Sequence, residues 1–164
     1  MSQEPTRAER YRAVRAGLGS LLESESDWIA ALATIACELH HAFPYYDWTG
    51  FYRVVEPEWL VIGPYQGGHG CLRIPFSRGV CGAAARTRQS QLVDDVESRA
   101  DHIACSSSTR SELVVPVLSP SGQVLAVLDV DSDQLAAFTA EDQRELEAIC
   151  QDLAARFPHG ERSR

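Results

Sequence analysis

The stretch Ser111-Glu112-Leu113-Val114-Val115-Pro116-Val117-Leu118-Ser119-Pro120-Ser121-Gly122-Gln123-Val124-Leu125-Ala126-Val127-Leu128-Asp129-Val130-Asp131-Ser132 holds two apolar, valine-rich runs around a Ser-Pro-Ser-Gly link. Runs of this length and composition favour strands, here residues 112–118 and 124–131, and the link has turn chemistry. Alternation along a strand puts Asp129 and Asp131 on one face and their apolar neighbours on the other. Two carboxylates at that spacing repel, and partial burial raises their pKa values, so the pair calls for a cation or a shared proton. Glu112 heads the neighbouring strand and is placed to complete a cup of three acids. Solvated acids are common at strand ends, but a pair within a Val/Leu-rich strand favours a binding site.

Upstream, residues 94–109 are polar and without period, which predicts a long functional loop. Residues 79–86, with Ala83, Ala84 and Ala85, read as a short helix, and residues 71–75 as a short extended piece. Glycine is dense from Gly63 to Gly70, which predicts a loop. Trp48-Thr49-Gly50-Phe51-Tyr52-Arg53-Val54-Val55 and Trp59-Leu60-Val61-Ile62 are aromatic and β-branched and flank Glu56-Pro57-Glu58, the pattern of a hairpin. Trp48, Gly50 and Tyr52 then share a face, an aromatic slot over a glycine floor suited to a thioether or sulfoxide methyl group. Earlier still, Trp28, Leu32, Ile35 and Leu39 recur at helical spacing behind a predicted Ser26 cap, with Pro44 as a stop. Residues 6–22 read as a helix broken near Gly17 and Gly19. Downstream, Thr139 and Asp142 approximate a capping box for a closing helix whose stripe is Leu146, Ile149, Cys150 and Leu153. The fold class is therefore α+β: about five or six mostly antiparallel strands in one sheet, with the helices from both chain ends on one face.

The chain has 164 residues, 45% hydrophobic and 23% charged, which suits one globular domain. A net charge of -8 without a basic stripe argues against a nucleic-acid partner. The apolar runs are too short to span a bilayer, and the charged N-terminus lacks a signal-peptide core, so a cytoplasmic location is expected with no membrane partner. In that compartment the five cysteines are expected to be catalytic, metal-binding or buried rather than staples. Cys150 reads as core and Cys37 as packing. Cys71, Cys81 and Cys105 lie in the loop-rich middle of the chain, with His102 and Arg110 near enough in sequence to favour a thiolate at Cys105. The donors His69, Cys71, Cys81, His102 and Cys105 lack the close pairs of a structural zinc site, so no metal is expected.

Seven stretches together resemble the free methionine-R-sulfoxide reductases, a GAF-domain family. They are Trp48-Thr49-Gly50-Phe51-Tyr52, residues 60–67, residues 73–82, Asp101-His102-Ile103-Ala104-Cys105, residues 110–116, residues 127–132 and Phe138-Thr139-Ala140-Glu141-Asp142. Thr49 stands where that family more often has Val, and Ser106-Ser107-Ser108 replaces a segment that usually carries an Asp. The resemblance implies a GAF-like sheet of about six strands, with residues 1–25 an N-terminal helical segment, 26–158 the catalytic domain and 159–164 a tail. It further implies that Cys105 is the attacking thiolate, Cys71 the main resolving cysteine and Cys81 an auxiliary one. Glu112, Asp129 and Asp131 correspond to the substrate-binding carboxylates, Trp48 and Tyr52 to the methyl pocket. The substrate implied is free methionine sulfoxide, taken as the R epimer from the resemblance alone. No bound cofactor is implied; the reductant is thioredoxin, and relatives are commonly homodimers.

Two other classes compete with the enzyme. A GAF-type sensor would hold a small ligand without reaction, and a thiol redox sensor would form a Cys71–Cys105 disulfide that alters partner binding. Both are expected beside an output domain, for which this length leaves no room, so the enzyme is the preferred expectation.

Overall fold

The computed structural model describes residues 4–161, so part of the expected 159–164 tail lies outside the described residues. Its elements are α1 (Arg7–Leu21), α2 (Trp28–Ala42), β1 (Trp48–Glu56), β2 (Trp59–Gln66), β3 (Arg73–Pro75), α3 (Gly79–Thr87), β4 (Gln91–Val93), β5 (Ser111–Leu118), β6 (Val124–Ser132) and α4 (Ala140–Arg156). The six strands form one antiparallel sheet in the order β3-β2-β1-β6-β5-β4. No described helix is long and apolar enough to cross a membrane.

Strict alternation sorts the two sheet faces. Phe51, Leu113, Val115, Val117, Ala126, Leu128 and Val130 pack with the buried stripes of α1, α2 and α4 into the main core. Trp48, Tyr52, Val114 and Val127 face the other way, into a second cluster with Val80, Cys81, Ala84 and Ala85 of α3. The expected one-sided helical layer thus holds for the helices from both chain ends, while the short α3 covers part of the opposite face.

Four local expectations are corrected. The first helix does not break at Gly17 or Gly19: α1 is continuous, because the Thr6–Glu9 capping box starts it and Tyr11, Val14 and Leu18 bury one side. That packing outweighs a glycine penalty of about 1 kcal/mol per residue. Asp27 rather than Ser26 caps α2, its carboxylate accepting from the Ala30 N–H at 2.8 Å. The predicted loop at Gly63 is instead strand as far as Gln66. Pro64 is tolerated there because β3 pairs only with Trp59, Leu60 and Val61, so beyond them β2 is an edge. The loop of residues 94–109 includes one 3-10 turn, Val96–Ser98, and is preceded by β4, a strand too short to show a period.

The chain ends are locked together at Asp142, which is fully buried at the start of α4. Its carboxylate accepts from the Tyr11 hydroxyl at 2.7 Å, the Tyr45 hydroxyl at 3.0 Å and the Thr139 N–H at 2.7 Å, and it pairs with the Arg7 guanidinium. Removing a buried acid from such a set strands its donors. Asp142→Ala is therefore expected to lower unfolding free energy by about 3–5 kcal/mol, read by urea denaturation; a loss under about 1 kcal/mol would show that α1 is held by apolar packing alone.

Candidate active site

The register of β5 against β6 builds the site. Glu112 lies opposite Asp131, and Val114 opposite Asp129, so the three acids converge on the face that α3 covers. Glu112 and Asp129 are buried, and Asp131 is half-buried. Burial pushes the Glu112 carboxyl well above the usual carboxylate range, reinforced by the charges of Asp129 and Asp131. Asp131 is raised by burial and then by Asp129, Asp133 and Asp47. Asp129 is pushed up to about 7 by burial, opposed by hydrogen bonds from Cys81 and Glu112. Protons stay in this cup near neutrality. Asp129 Oδ1 is buried and finds no hydrogen-bond partner among the described residues.

Cys81 enters from the first turn of α3. Its Sγ–H donates to Asp129 Oδ2 at 3.3 Å, and Glu112 Oε1 lies 3.9 Å away. Burial first, then the surrounding acids, raises this thiol far above its ordinary value, so it stays protonated. Gly79 begins α3 with φ of +74°, and a Cβ there would meet Ile103 at 3.1 Å. Its N–H donates to the Asp101 carbonyl at 3.1 Å, tying the helix start to the long loop.

The aromatic wall comes from β1. Trp48 stacks on Tyr52 with ring centroids 5.8 Å apart and on Tyr65 at 5.3 Å, and its indole N–H donates to the Gly68 carbonyl at 3.0 Å. A Cβ on Gly50 would stand 2.6 Å from the Trp48 ring, so the expected glycine floor is a steric requirement. Tyr65 was hidden from sequence reasoning by the loop assignment around Gly63. Its place in β2, opposite Gly50, is what brings it onto Trp48.

Cys71 and Cys105 are joined as a disulfide, with Cα atoms 5.2 Å apart across 34 residues. Cys105 lines the cavity formed by Trp48, Tyr52, Cys81, Glu112, Asp129 and Asp131; Cys71 sits behind the bond, outside that lining. His69, His102 and Ile103 complete the rim. His102 is held toward its neutral form by burial and by Arg99, which weakens it as a charge partner for a Cys105 thiolate. The free space left is about 30 Å³, room for one or two waters and too little for an amino acid. Every site residue expected from the sequence is thus found in or beside one cavity. The exceptions to interest are elsewhere: Cys150 is buried in the main core, and Cys37 is half-buried on α2.

Comparison with known proteins bears on this arrangement. The GAF domain family matches residues 25–156. The free methionine-R-sulfoxide reductase of Escherichia coli is 36% identical over 147 residues, 90% of this chain and 88% of that protein. The enzyme of the same name from Saccharomyces cerevisiae is 36% identical over 135 residues, 79% of this chain and 75% of that protein. A crystal structure of the free methionine-R-sulfoxide reductase from Neisseria meningitidis, in complex with its substrate, superposes with a TM-score of 0.88 at 43% identity, covering 96% of this chain and 93% of that one. In fold and in sequence, the chain belongs to the free methionine-R-sulfoxide reductases of the GAF-domain family.

Proposed function

We propose that the protein reduces free L-methionine-(R)-sulfoxide to L-methionine in the cytoplasm, with thioredoxin as the external reductant. The observation that carries this reading is the Cys71–Cys105 disulfide placed at the mouth of a buried carboxylate cup. In the cycle, the Cys105 thiolate attacks the sulfoxide sulfur while a protonated carboxyl delivers a proton to the departing oxygen. Methionine leaves, and Cys105 is left as a sulfenic acid. Cys71 then attacks that sulfur, water leaves, and the disulfide forms. Two electrons and two protons from the thioredoxin dithiol restore both thiols.

The cup supports both halves of the chemistry. A carboxyl that keeps its proton near pH 7 is a general acid, and Asp129, with its pKa pushed up to about 7, is the group best matched to that task. The same acids can pair with a free α-ammonium, a group that a residue inside a peptide lacks. Burying the cup against a peptide would leave its polar groups without that partner, at a cost of kilocalories. Trp48 and Tyr52 offer ring faces to the methyl and sulfur. Cys81, held as a thiol on Asp129, is auxiliary: it steadies the acid rather than attacking. Free space in the oxidised form is small, and on this reading reduction of the disulfide frees residues 101–109 to admit substrate. A ligand sensor built on the same fold is the second reading; it would gain thermal stability with a ligand and form no methionine.

The decisive measurement is methionine release from separated R and S epimers, free and peptide-bound, with thioredoxin as reductant. Free R epimer should turn over, and Cys105→Ser should reduce the rate to background. Cys71→Ser should give a single burst of methionine and then stall with thioredoxin. Equal rates on peptide-bound substrate would sink the role given to the cup. Asp129→Asn should lower kcat/KM by about 100- to 10,000-fold, the range for losing a general acid.

The raised carboxyl pKa values also set a stability trend. Between the unfolded and folded values the native cup binds protons that the unfolded chain has released, so stability falls as pH rises. The difference in unfolding free energy between wild type and Asp129→Asn should therefore shift in favour of the variant by roughly 2–4 kcal/mol from about pH 4.5 to about pH 7.5. Urea titrations at several pH values read this directly, and a pH-independent difference would mean that Asp129 is ionised throughout.

A further inference from the structure

Cys81, Glu112 and Asp129 come from three separate elements, α3, β5 and β6, and bring one sulfur and two carboxylate oxygens within 4.8 Å of one another. All three residues are more than nine-tenths buried, at 3%, 6% and 5% exposure. Tetrahedral coordination with a metal–sulfur bond of about 2.3 Å and a metal–oxygen bond of about 2.1 Å puts sulfur and oxygen ligands about 3.6 Å apart. The Cys81 Sγ distances to Asp129 Oδ2 and Glu112 Oε1, 3.3 and 3.9 Å, bracket that value. Asp129 Oδ1 has no partner among the described residues although it is buried and its side chain lines the cavity, so the cluster has an acceptor to spare.

We propose that Cys81, Glu112 and Asp129 form a binding site for one borderline or soft divalent cation of the zinc or cadmium class, and that this ion competes with the substrate for the cup. The thiol decides the class of ion. Magnesium and calcium are hard ions that take oxygen ligands throughout and gain little from a thiolate, whereas sulfur favours softer ions. Zinc is content with three protein ligands and a fourth position taken by water. Binding displaces the Cys81 proton and the carboxyl protons into solvent. The ion then occupies the acids to which the substrate ammonium would pair. Cation binding stands on the geometry alone; the competition rests on the methionine sulfoxide reductase reading.

A second thiol complicates any metal titration. Cys37 Sγ lies 3.7 Å from His41 Nδ1 on the surface of α2, so the test is run in a Cys37→Ser background. Oxidised protein, with Cys71 and Cys105 locked in their disulfide, is titrated with Cd2+ while the ultraviolet thiolate-to-metal absorption is followed. The expected band saturates at one ion per chain, is bleached by Zn2+ and is indifferent to Mg2+. Cys81→Ser should abolish it, and Asp129→Asn should weaken Cd2+ binding by about tenfold or more. Absence of the band, or its survival in Cys81→Ser, overturns the site.

The competition is read in a Cys37→Ser/Cys71→Ser/Cys105→Ser protein, which can bind free methionine sulfoxide but cannot reduce it. There, added sulfoxide should raise the apparent Cd2+ dissociation constant in proportion to its concentration, and an unchanged constant overturns the competitive role. The turnover assay is separate. An inactive enzyme with the cadmium band present would sink the reductase reading and leave the cation site standing; an active enzyme without the band would do the reverse.

Discussion

The pairing of Glu112 opposite Asp131 and Val114 opposite Asp129 is the constraint on which the molecule turns. It places three acids on one face of adjacent strands, where ionising all of them would cost several kilocalories per charge. The sheet tolerates this because its other face is apolar without interruption through Leu113, Val115, Val117, Ala126, Leu128 and Val130. Each buried valine or leucine among them contributes roughly 1.5–3 kcal/mol, and the Ala126 methyl less. A one-residue slip would turn the acids into the main core and the valines and leucines into the cavity, so register is held by both faces at once. Strain that a flexible loop would relieve by moving the acids apart is retained here because the strands cannot separate.

That rigidity contrasts with the sulfurs. Cys71 follows the Gly67-Gly68-His69-Gly70 turn and Cys105 lies in the long segment of residues 94–109, in which the only helical piece is Val96–Ser98. The first part of that segment is anchored by buried Val96 and by the Val96–Arg110 and Ala136–Asp94 backbone hydrogen bonds; the part nearer Cys105 is held by the Gly79–Asp101 hydrogen bond, the packing of Ile103 on Gly79, and the disulfide. The disulfide is thus the one covalent tie between this cover and the Gly-rich segment before β3, while the acids beneath it are fixed by strand register. Rigid strands carry the acids, and a loop crosslinked by a disulfide covers them.

Much of this was legible in the sequence, and what was not has physical reasons. The face shared by Asp129 and Asp131 followed from the period of a strand, and the capping box at Thr139 and Asp142 from side-chain reach. The slot of Trp48, Gly50 and Tyr52 was readable for the same reason of alternation. Pairing of Cys71 with Cys105 was not readable from spacing; it came with the family resemblance, and the fold places the two residues side by side. Glycine was read too strongly at Gly17, Gly19 and Gly63, because a local penalty near 1 kcal/mol is small beside tertiary packing. Tyr65 was lost through the same error. The unpartnered oxygen of Asp129 and its distance to Cys81 are tertiary facts: residues 81 and 129 approach only because α3 lies across β6.

The thiol of Cys81 shows how such a cup escapes its own repulsion. Three carboxyls facing one another can be quieted by shared protons, but a proton shared between two oxygens is lost when one of them pairs with substrate. A neighbouring thiol with a raised pKa cannot compete for that proton as a base, and it still donates a hydrogen bond to Asp129 Oδ2. It therefore biases one oxygen of Asp129 toward acceptance and leaves Oδ1 free for whatever enters the cavity. A hydroxyl would donate as well but would bind soft cations poorly, whereas sulfur brings both properties. On that account the residue that makes the cup an orderly acid is also the one that exposes it to thiophilic metal.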